Sequence, residues 1–261
     1  MKFNSFIEPL RARKAAIGQI LRTRSQRAAY RKLDAEDERR VEFYSQFVKK
    51  GDVVFDVGAN LGNRTKAFLA LGARVIAFEP QPLCADFLET VLNGEPGFTL
   101  VRKALGAAEC QSEMLLSDTH VLSSLSPGWI KATRSSGRFA SVRWDRQAVV
   151  IMTTLDQALH EFGLPSFVKI DVEGYEAEVL SGLSKPVPCL SIEFTGEYLE
   201  NTFRAIDHVV SLGPVEGQVS LAESLMFTFE TWLPSPLLKS RLSLLGEGWA
   251  GDVYLRASTF S

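Results

Sequence analysis

Cysteine and histidine are scarce in this sequence, three of each, and neither falls in a metal-binding spacing. Cys84, Cys110 and Cys189 form no CxxC pair, and an odd number without companion histidines argues against a disulfide framework or a zinc site. They read as reduced thiols. Also missing is an apolar run near the roughly 18 to 20 residues that cross a bilayer, and the N-terminus lacks the apolar stretch of a secretory signal. A cytoplasmic protein is the expectation. What remains is ordinary: 261 residues, 46% hydrophobic and 23% charged, enough for one large domain or two small ones with a sizeable core.

The net charge of −2 hides an asymmetry. Residues 1–32 hold nine basic side chains and one acid, Glu8, which leaves 20 basic and 30 acidic residues for the rest. An acidic body is a poor electrostatic match for nucleic acid. Within the arm, Ile7, Leu10, Ile17 and Leu21 recur at helical spacing. Such an arm either docks on the acidic body, meets an anionic surface or partner, or is an Arg-rich transit segment.

Beyond the arm, residues 35–50 read as an amphipathic helix capped by Asp34 and ended by Gly51. This predicts a basic helical extension over 1–50 and a second domain over 51–261. From Gly51 onward, short apolar runs alternate with helical periodicity, the pattern of an α/β fold with a largely parallel sheet and helices on both faces. Strands are expected at 52–56, 74–79, 98–103, 167–171 and 189–194, with helices over 64–71, 82–92, 155–162, 175–180 and 198–212. The stretch 106–146 is Ser- and Gly-rich and reads as a long loop between short strands near 113–117 and 148–153, more often functional than idle. Thr154 and Gln157 fit a capping box. Apolar runs at 224–229 and 253–255 suggest a closing antiparallel pair.

The chemistry begins at the first turn. A strand ending in Asp56, then Gly58-Ala59-Asn60-Leu61-Gly62 opening a helix, then Glu79 ending the next strand, is the plan of an adenosine-cofactor site. A dinucleotide needs glycine at the first, third and sixth turn positions for backbone to approach its pyrophosphate; here they are Gly58, Asn60 and Asn63. Two side chains stand in the phosphate path, and Asp56 adds a carboxylate. S-adenosylmethionine (SAM) carries an ammonium, a sulfonium and no phosphate, so charge complementarity favours it over NAD. Glu79, 23 residues past Asp56, suits the ribose hydroxyls in either case. An NAD-linked oxidoreductase is the runner-up enzyme, and a cofactor-fold module without turnover, binding or recruiting a partner, is the alternative from another class.

A second acidic cluster, Asp171 and Glu173 in Lys169-Ile170-Asp171-Val172-Glu173-Gly174, falls at the carboxyl edge of the sheet, where open α/β folds bind ligands. Transfer of a methyl group to a hydroxyl needs alignment and a place for the hydroxyl proton, which a carboxylate can take. Asp171 is the first candidate; Glu173 is either its partner or an acid complementing a helix dipole. Glu193 could join both in an oxygen-rich metal site, although the reading adopted has no metal. His160 and His208 fall in helices as surface residues. His120 lies in the long loop, a catalytic base only if that loop closes over the crevice.

These residues resemble the FkbM-type SAM-dependent methyltransferases. The likeness rests on Asp52-Val53-Val54-Phe55-Asp56-Val57-Gly58-Ala59-Asn60-Leu61-Gly62, Ala77-Phe78-Glu79-Pro80, Thr154-Leu155-Asp156 and Val168-Lys169-Ile170-Asp171-Val172-Glu173-Gly174-Tyr175-Glu176, and runs from about Gly51 to Phe194. The resemblance implies a class I methyltransferase fold, Rossmann-like, with SAM as donor and O-methylation of a hydroxyl on a saccharide or polyketide-like small molecule. It also implies that Asp56, Gly58, Asn60, Gly62, Glu79 and Asp171 line the donor site, with Ala59 and Pro80 in the same motifs and Ala104 beside the adenine. Asn63-Arg64-Thr65 departs from the family, which usually has an aromatic after that glycine. No Asn-Pro-Pro-Tyr base-methylation motif is present.

Overall fold

The computed structural model describes residues 24–258. The apolar stripe Ile7, Leu10, Ile17 and Leu21 lies outside the described residues, as does most of the basic arm. No helix of the described residues is long and apolar enough to cross a membrane.

The chain opens with helices α1 (Arg24–Arg31) and α2 (Ala35–Tyr44). Asp34 caps α2, its side chain accepting from the backbone N–H of Glu36 and Asp37 while Asp37 returns a carboxylate to the Asp34 N–H. The helix ends at Tyr44 and turns lead to Gly51, a turn and a half short of the run read from periodicity. Next come β1 (Val53–Val57), α3 (Asn63–Ala70), β2 (Arg74–Phe78), α4 (Pro82–Leu92) and β3 (Phe98–Val101). A small excursion follows, with β4 (Ala104–Leu105), β5 (Gln111–Leu116), α5 (Pro127–Ser135) and β6 (Arg146–Thr153). The chain then returns through α6 (Leu155–Phe162), β7 (Phe167–Ile170), α7 (Glu176–Ser181), β8 (Cys189–Thr195), α8 (Leu199–Leu212), β9 (Val215–Leu221), β10 (Leu233–Pro234), α9 (Ser235–Ser243) and β11 (Ala250–Ala257).

Eight strands form one sheet in the order β10-β9-β11-β8-β7-β1-β2-β3. The five strands from β8 to β3 are parallel, and β11, β9 and β10 run antiparallel to their neighbours. Side chains alternate between two faces. One face, with Phe55, Val168, Ile170, Leu190, Ile192 and Val253, is buried under α6, α7, α8 and α9. The other, with Val54, Phe167, Cys189 and Tyr254, is covered by Tyr44 of α2 and Phe68 of α3. Arg31 of α1 donates to the Val91 carbonyl at 2.5 Å and Asn93 at 3.1 Å, and Tyr30 stands edge-on to Phe87.

Three further sequence expectations need correction. The 106–146 stretch is not a long loop between two short strands: a helical turn at His120–Leu122 and the helix α5 interrupt it. The signal was present in Ser126 and Pro127, since the Ser126 hydroxyl accepts from the Trp129 N–H and proline occupies the first helical turn. The run at 224–229 forms no strand. Its place is taken by Val215–Leu221, and β11 pairs with both β8 and β9. At Thr154 only half of the expected capping box is seen, the side chain accepting from the Gln157 N–H at 3.1 Å.

Candidate active site

Strand register assembles the site. In the paired strands Val57 sits opposite Phe78 on one side and Ile170 on the other, and Ile170 sits opposite Ile192. The next residue on each strand is therefore Gly58, Glu79, Asp171 and Glu193, side by side along the carboxyl edge. Gly58 has φ +80°, and a Cβ there would lie 1.9 Å from the Asp171 carbonyl oxygen, so only glycine lets the turn pass this close to β7.

The turn from β1 to α3 is tied to Glu79. Gly58 and Ala59 both donate to the Phe78 carbonyl, at 3.0 and 3.1 Å. Asn60, left-handed at φ +51°, donates its backbone N–H to Glu79 Oε2 at 2.7 Å, and Gln81 donates to Oε1 at 2.8 Å. Burial pushes the Glu79 carboxyl up to about 7, against the pull of the Gln81 and Asn60 amides. Gly62 is the left-handed cap of α3, Ala59 is buried with Phe87 and Leu88 of α4, and half-buried Pro80 carries the chain into Gln81. Ala104 is buried in the small sheet with Met114, Val150 and Met152.

Asp56 faces inward. Thr65 donates to its Oδ2 at 2.5 Å, and burial pushes the carboxyl up to about 6 despite that bond. Within Asn63-Arg64-Thr65, then, Thr65 bonds Asp56, and Arg64 pairs with Glu223 at 2.7 Å from the loop after β9.

The third group lies between β7, β8 and β11. By alternation Asp56, Lys169, Glu193 and Asp252 point to the face under α2 and α3, where Asp56 lies opposite Lys169 and Asp252 opposite Glu193. Lys169, 1% exposed, donates to Asp252 Oδ1 at 2.7 Å and approaches Asp171 Oδ2 at 3.3 Å. Burial opposes charge on Asp171, but Lys169 and Arg64 outweigh it and hold the carboxyl below its ordinary value. Burial, then the Asp171 and Glu176 carboxylates, push Glu173 well up; burial, then Glu173 and Asp171, do the same to Glu193. One oxygen from each of Asp171, Glu173 and Glu193 lies within 4.8 Å of the others. Asp171 and Glu173 thus share a crevice with Glu193, a donor set that could hold a hard cation as well as move a proton. Lys169 and Asp252 were not singled out in the sequence, although the lysine two residues before Asp171 was a visible signal.

Histidine placement differs by residue. His160 is exposed, and His208 lies 2.8 Å from the Leu183 carbonyl. His120 is buried at the 58–62 turn, its Nδ1 2.7 Å from Asn60 Oδ1. From the same segment, Ser124 donates to the Glu173 carbonyl at 2.6 Å.

The model of the methyltransferase FkbM domain matches residues 56–213, more than half of the chain. The chain belongs to the FkbM methyltransferase family. The cofactor of this family's donor site is SAM, and the donor set described above fits it: carboxylates for a cation and two hydroxyls, with Asn60 where a pyrophosphate would need bare backbone. Among curated relatives, hexuronic acid methyltransferase AglP of Haloferax volcanii is 28% identical over 139 residues, 52% of each chain. Ribosomal RNA small subunit methyltransferase A of Phenylobacterium zucineum is 38% identical over 96 residues, 36% of this chain and 32% of that one. The chain thus spans about half or less of the curated relatives it matches. An O-methyltransferase from Bacillus cereus, solved with S-adenosylhomocysteine, covers 94% of this chain and 91% of its own at 11% identity and a TM-score of 0.44.

Proposed function

We propose that the protein is a cytoplasmic SAM-dependent O-methyltransferase acting on a hydroxyl of a saccharide or polyketide-like small molecule. The observation that carries this reading is the position of Asp171, one residue past β7 and beside Gly58, with Glu173 and Glu193 across the crevice. When bound, the donor supplies a methyl group on a sulfonium. Asp56, Glu79 and the 58–62 turn bind it in this reading, with Ala104 near its adenine. Asp171, kept ionised by Lys169, offers negative charge to the donor's cationic end or to the acceptor hydroxyl. Toward an acceptor hydroxyl, the carboxyls of this crevice would orient the oxygen and take up its proton. Asp171, held ionised, is the first candidate for that role, with Glu173 and Glu193 across the crevice as its neighbours. Similarity to a hexuronic acid methyltransferase supports a saccharide acceptor.

The test is to incubate the protein with SAM and a panel of hexuronic acids, neutral glycosides, polyketide alcohols and a ribosomal RNA fragment, and to measure S-adenosylhomocysteine and the methylated product. A product with a new methyl ether on a small molecule is expected. Methylation of the RNA alone, or tighter binding of NAD than of SAM, contradicts the proposal.

A further inference from the structure

We propose that His120 is a positioning residue for the donor turn, acting through Asn60 on Glu79. The inference rests on reading the 58–62 turn as the donor site.

Asn60 and His120 make a two-point clamp across 60 residues of sequence. The ring Nδ1 lies 2.7 Å from Asn60 Oδ1, and Asn60 Nδ2 donates to the His120 carbonyl at 3.3 Å. Because the Asn60 amide gives its N–H to that carbonyl, its oxygen is the group facing the ring, so Nδ1 carries the proton and donates. This use of Nδ1 is unlike that of an exposed loop histidine. His120 is 4% exposed and sits in a single helical turn whose approach is held by Ser117, which donates to the Thr119 carbonyl and accepts from the Thr119 N–H at 3.1 Å.

The clamp matters because of what Asn60 does with its backbone. A left-handed residue other than glycine is uncommon and needs its surroundings to hold it there. At φ +51° the Asn60 N–H points to Glu79 Oε2 at 2.7 Å, so the side-chain clamp and the carboxylate bond fix the same residue from two sides. Release of the amide frees the turn to leave the left-handed region, and the carboxylate loses one of its two backbone donors. Ser124, four residues past His120, holds the Glu173 carbonyl. One short segment therefore ties the donor turn to the acidic loop.

The experiment is calorimetry with S-adenosylhomocysteine on the full chain, comparing wild type with His120→Asn, His120→Gln and His120→Ala. Asparagine places its amide N–H near the ring Nδ1, whereas glutamine places it near Nε2. His120→Asn is expected to stay within about twofold of wild type, while His120→Gln and His120→Ala weaken binding about fivefold to tenfold, the loss of roughly one neutral hydrogen bond. In an Asn60→Ala background His120→Gln is expected to have no further effect, because the two residues act as one unit. Asn60→Ser, which leaves His120 in place, carries the same prediction should a His120 variant not melt cooperatively. Equal affinities for the Asn and Gln variants, a full additional loss in the Asn60→Ala background, or an unchanged affinity for Asn60→Ser overturns the inference alone. Failure of the wild-type protein to bind S-adenosylhomocysteine overturns the donor-site reading, and the inference with it.

Discussion

Lys169 and Asp252, 83 residues apart in sequence, meet at 2.7 Å between Nζ and Oδ1 in the buried layer under α2 and α3. The same ammonium faces Asp171, so a single cation serves two acids. Removing it is expected to leave Asp252 without its counter-charge in a buried layer, and the more open Asp171 short of its nearest cation. Lys169→Met should lower stability by about 3–5 kcal/mol, as loss of one partner of a buried pair does, measured as a fall in the urea midpoint. A change below about 1 kcal/mol would show the cluster to be better solvated than its burial implies.

The acids also set a pH dependence of stability. Glu193 has a folded value well above its ordinary one, because of burial and then the Glu173 and Asp171 carboxylates. The folded state thus binds more protons than the unfolded state once pH passes the ordinary carboxylate range, and stability is lost as pH rises from there through the raised value. Glu193→Gln removes that loss. Its melting temperature is expected to exceed that of wild type at pH 8 by about 2–4 °C, the effect of about 1 kcal/mol in a chain of this size, and to differ little at pH 5. An equal shift at both values would sink this account.

Gly174 is closed to any side chain. At φ +87°, a Cβ would lie 2.3 Å from both Cβ and Cγ of Trp129, whose indole N–H donates to Thr195 Oγ1 at 3.1 Å. Gly174→Ala is expected to displace that indole, break its bond and cost about 2 kcal/mol or more from overpacking and left-handed strain. A red-shifted tryptophan emission with a lowered melting temperature is the signature. Native emission in the variant would contradict it.

In the proposed donor site, Glu79→Ala should weaken SAM binding by about 1–3 kcal/mol, since the Asn60 and Gln81 amides lose their acceptor. Isothermal titration against wild type measures it.

For the chemical step, Asp171→Asn keeps shape and removes charge, so methyl transfer is expected to fall by about 10²-fold or more. Full recovery of the rate at saturating SAM would assign Asp171 to donor binding alone. Glu173 precedes the helix Glu176–Ser181, whose first turn carries Glu176 and Glu178 instead, so the expected dipole role does not apply to it; Glu173→Gln with activity kept would show that its carboxylate is dispensable for the chemical step. Chelator is expected to leave turnover unchanged; loss restored by a divalent ion would recast Asp171, Glu173 and Glu193 as ligands.

The alternating pattern over 51–103 and again over 154–212 was legible because each element carries its own punctuation. Pro82 begins α4, and Thr154 and Gly163 bound α6 at the residues where periodicity placed them. The Asp56, Gly58 and Glu79 framework was legible for the same reason, being set within consecutive elements. Lys169 with Asp252 was not, because a cross-strand partner depends on register and not on local spacing. Nor was β9: Val215-Glu216-Gly217-Gln218-Val219-Ser220-Leu221 alternates weakly and contains a glycine, whereas the more apolar 224–229 run packs Leu225 and Phe227 against α2 as irregular chain. The contact of His120 with Asn60 was hidden because the two lie 60 residues apart in sequence.

The placement of β11 between β8 and β9 has a consequence for biosynthesis. During translation β9 emerges before β11, yet β9 has no direct bond to β8 and must wait for a strand made later to slot in beside it. Pairings this distant in sequence slow folding and leave strand edges open in the meantime. Because β11 also delivers Asp252, the ribosome-bound chain holds Lys169 without its nearest counter-charge until that strand arrives. The 58–62 turn can form early from β1, α3 and β2, while the acidic crevice is charge-balanced only at the final closure of the sheet.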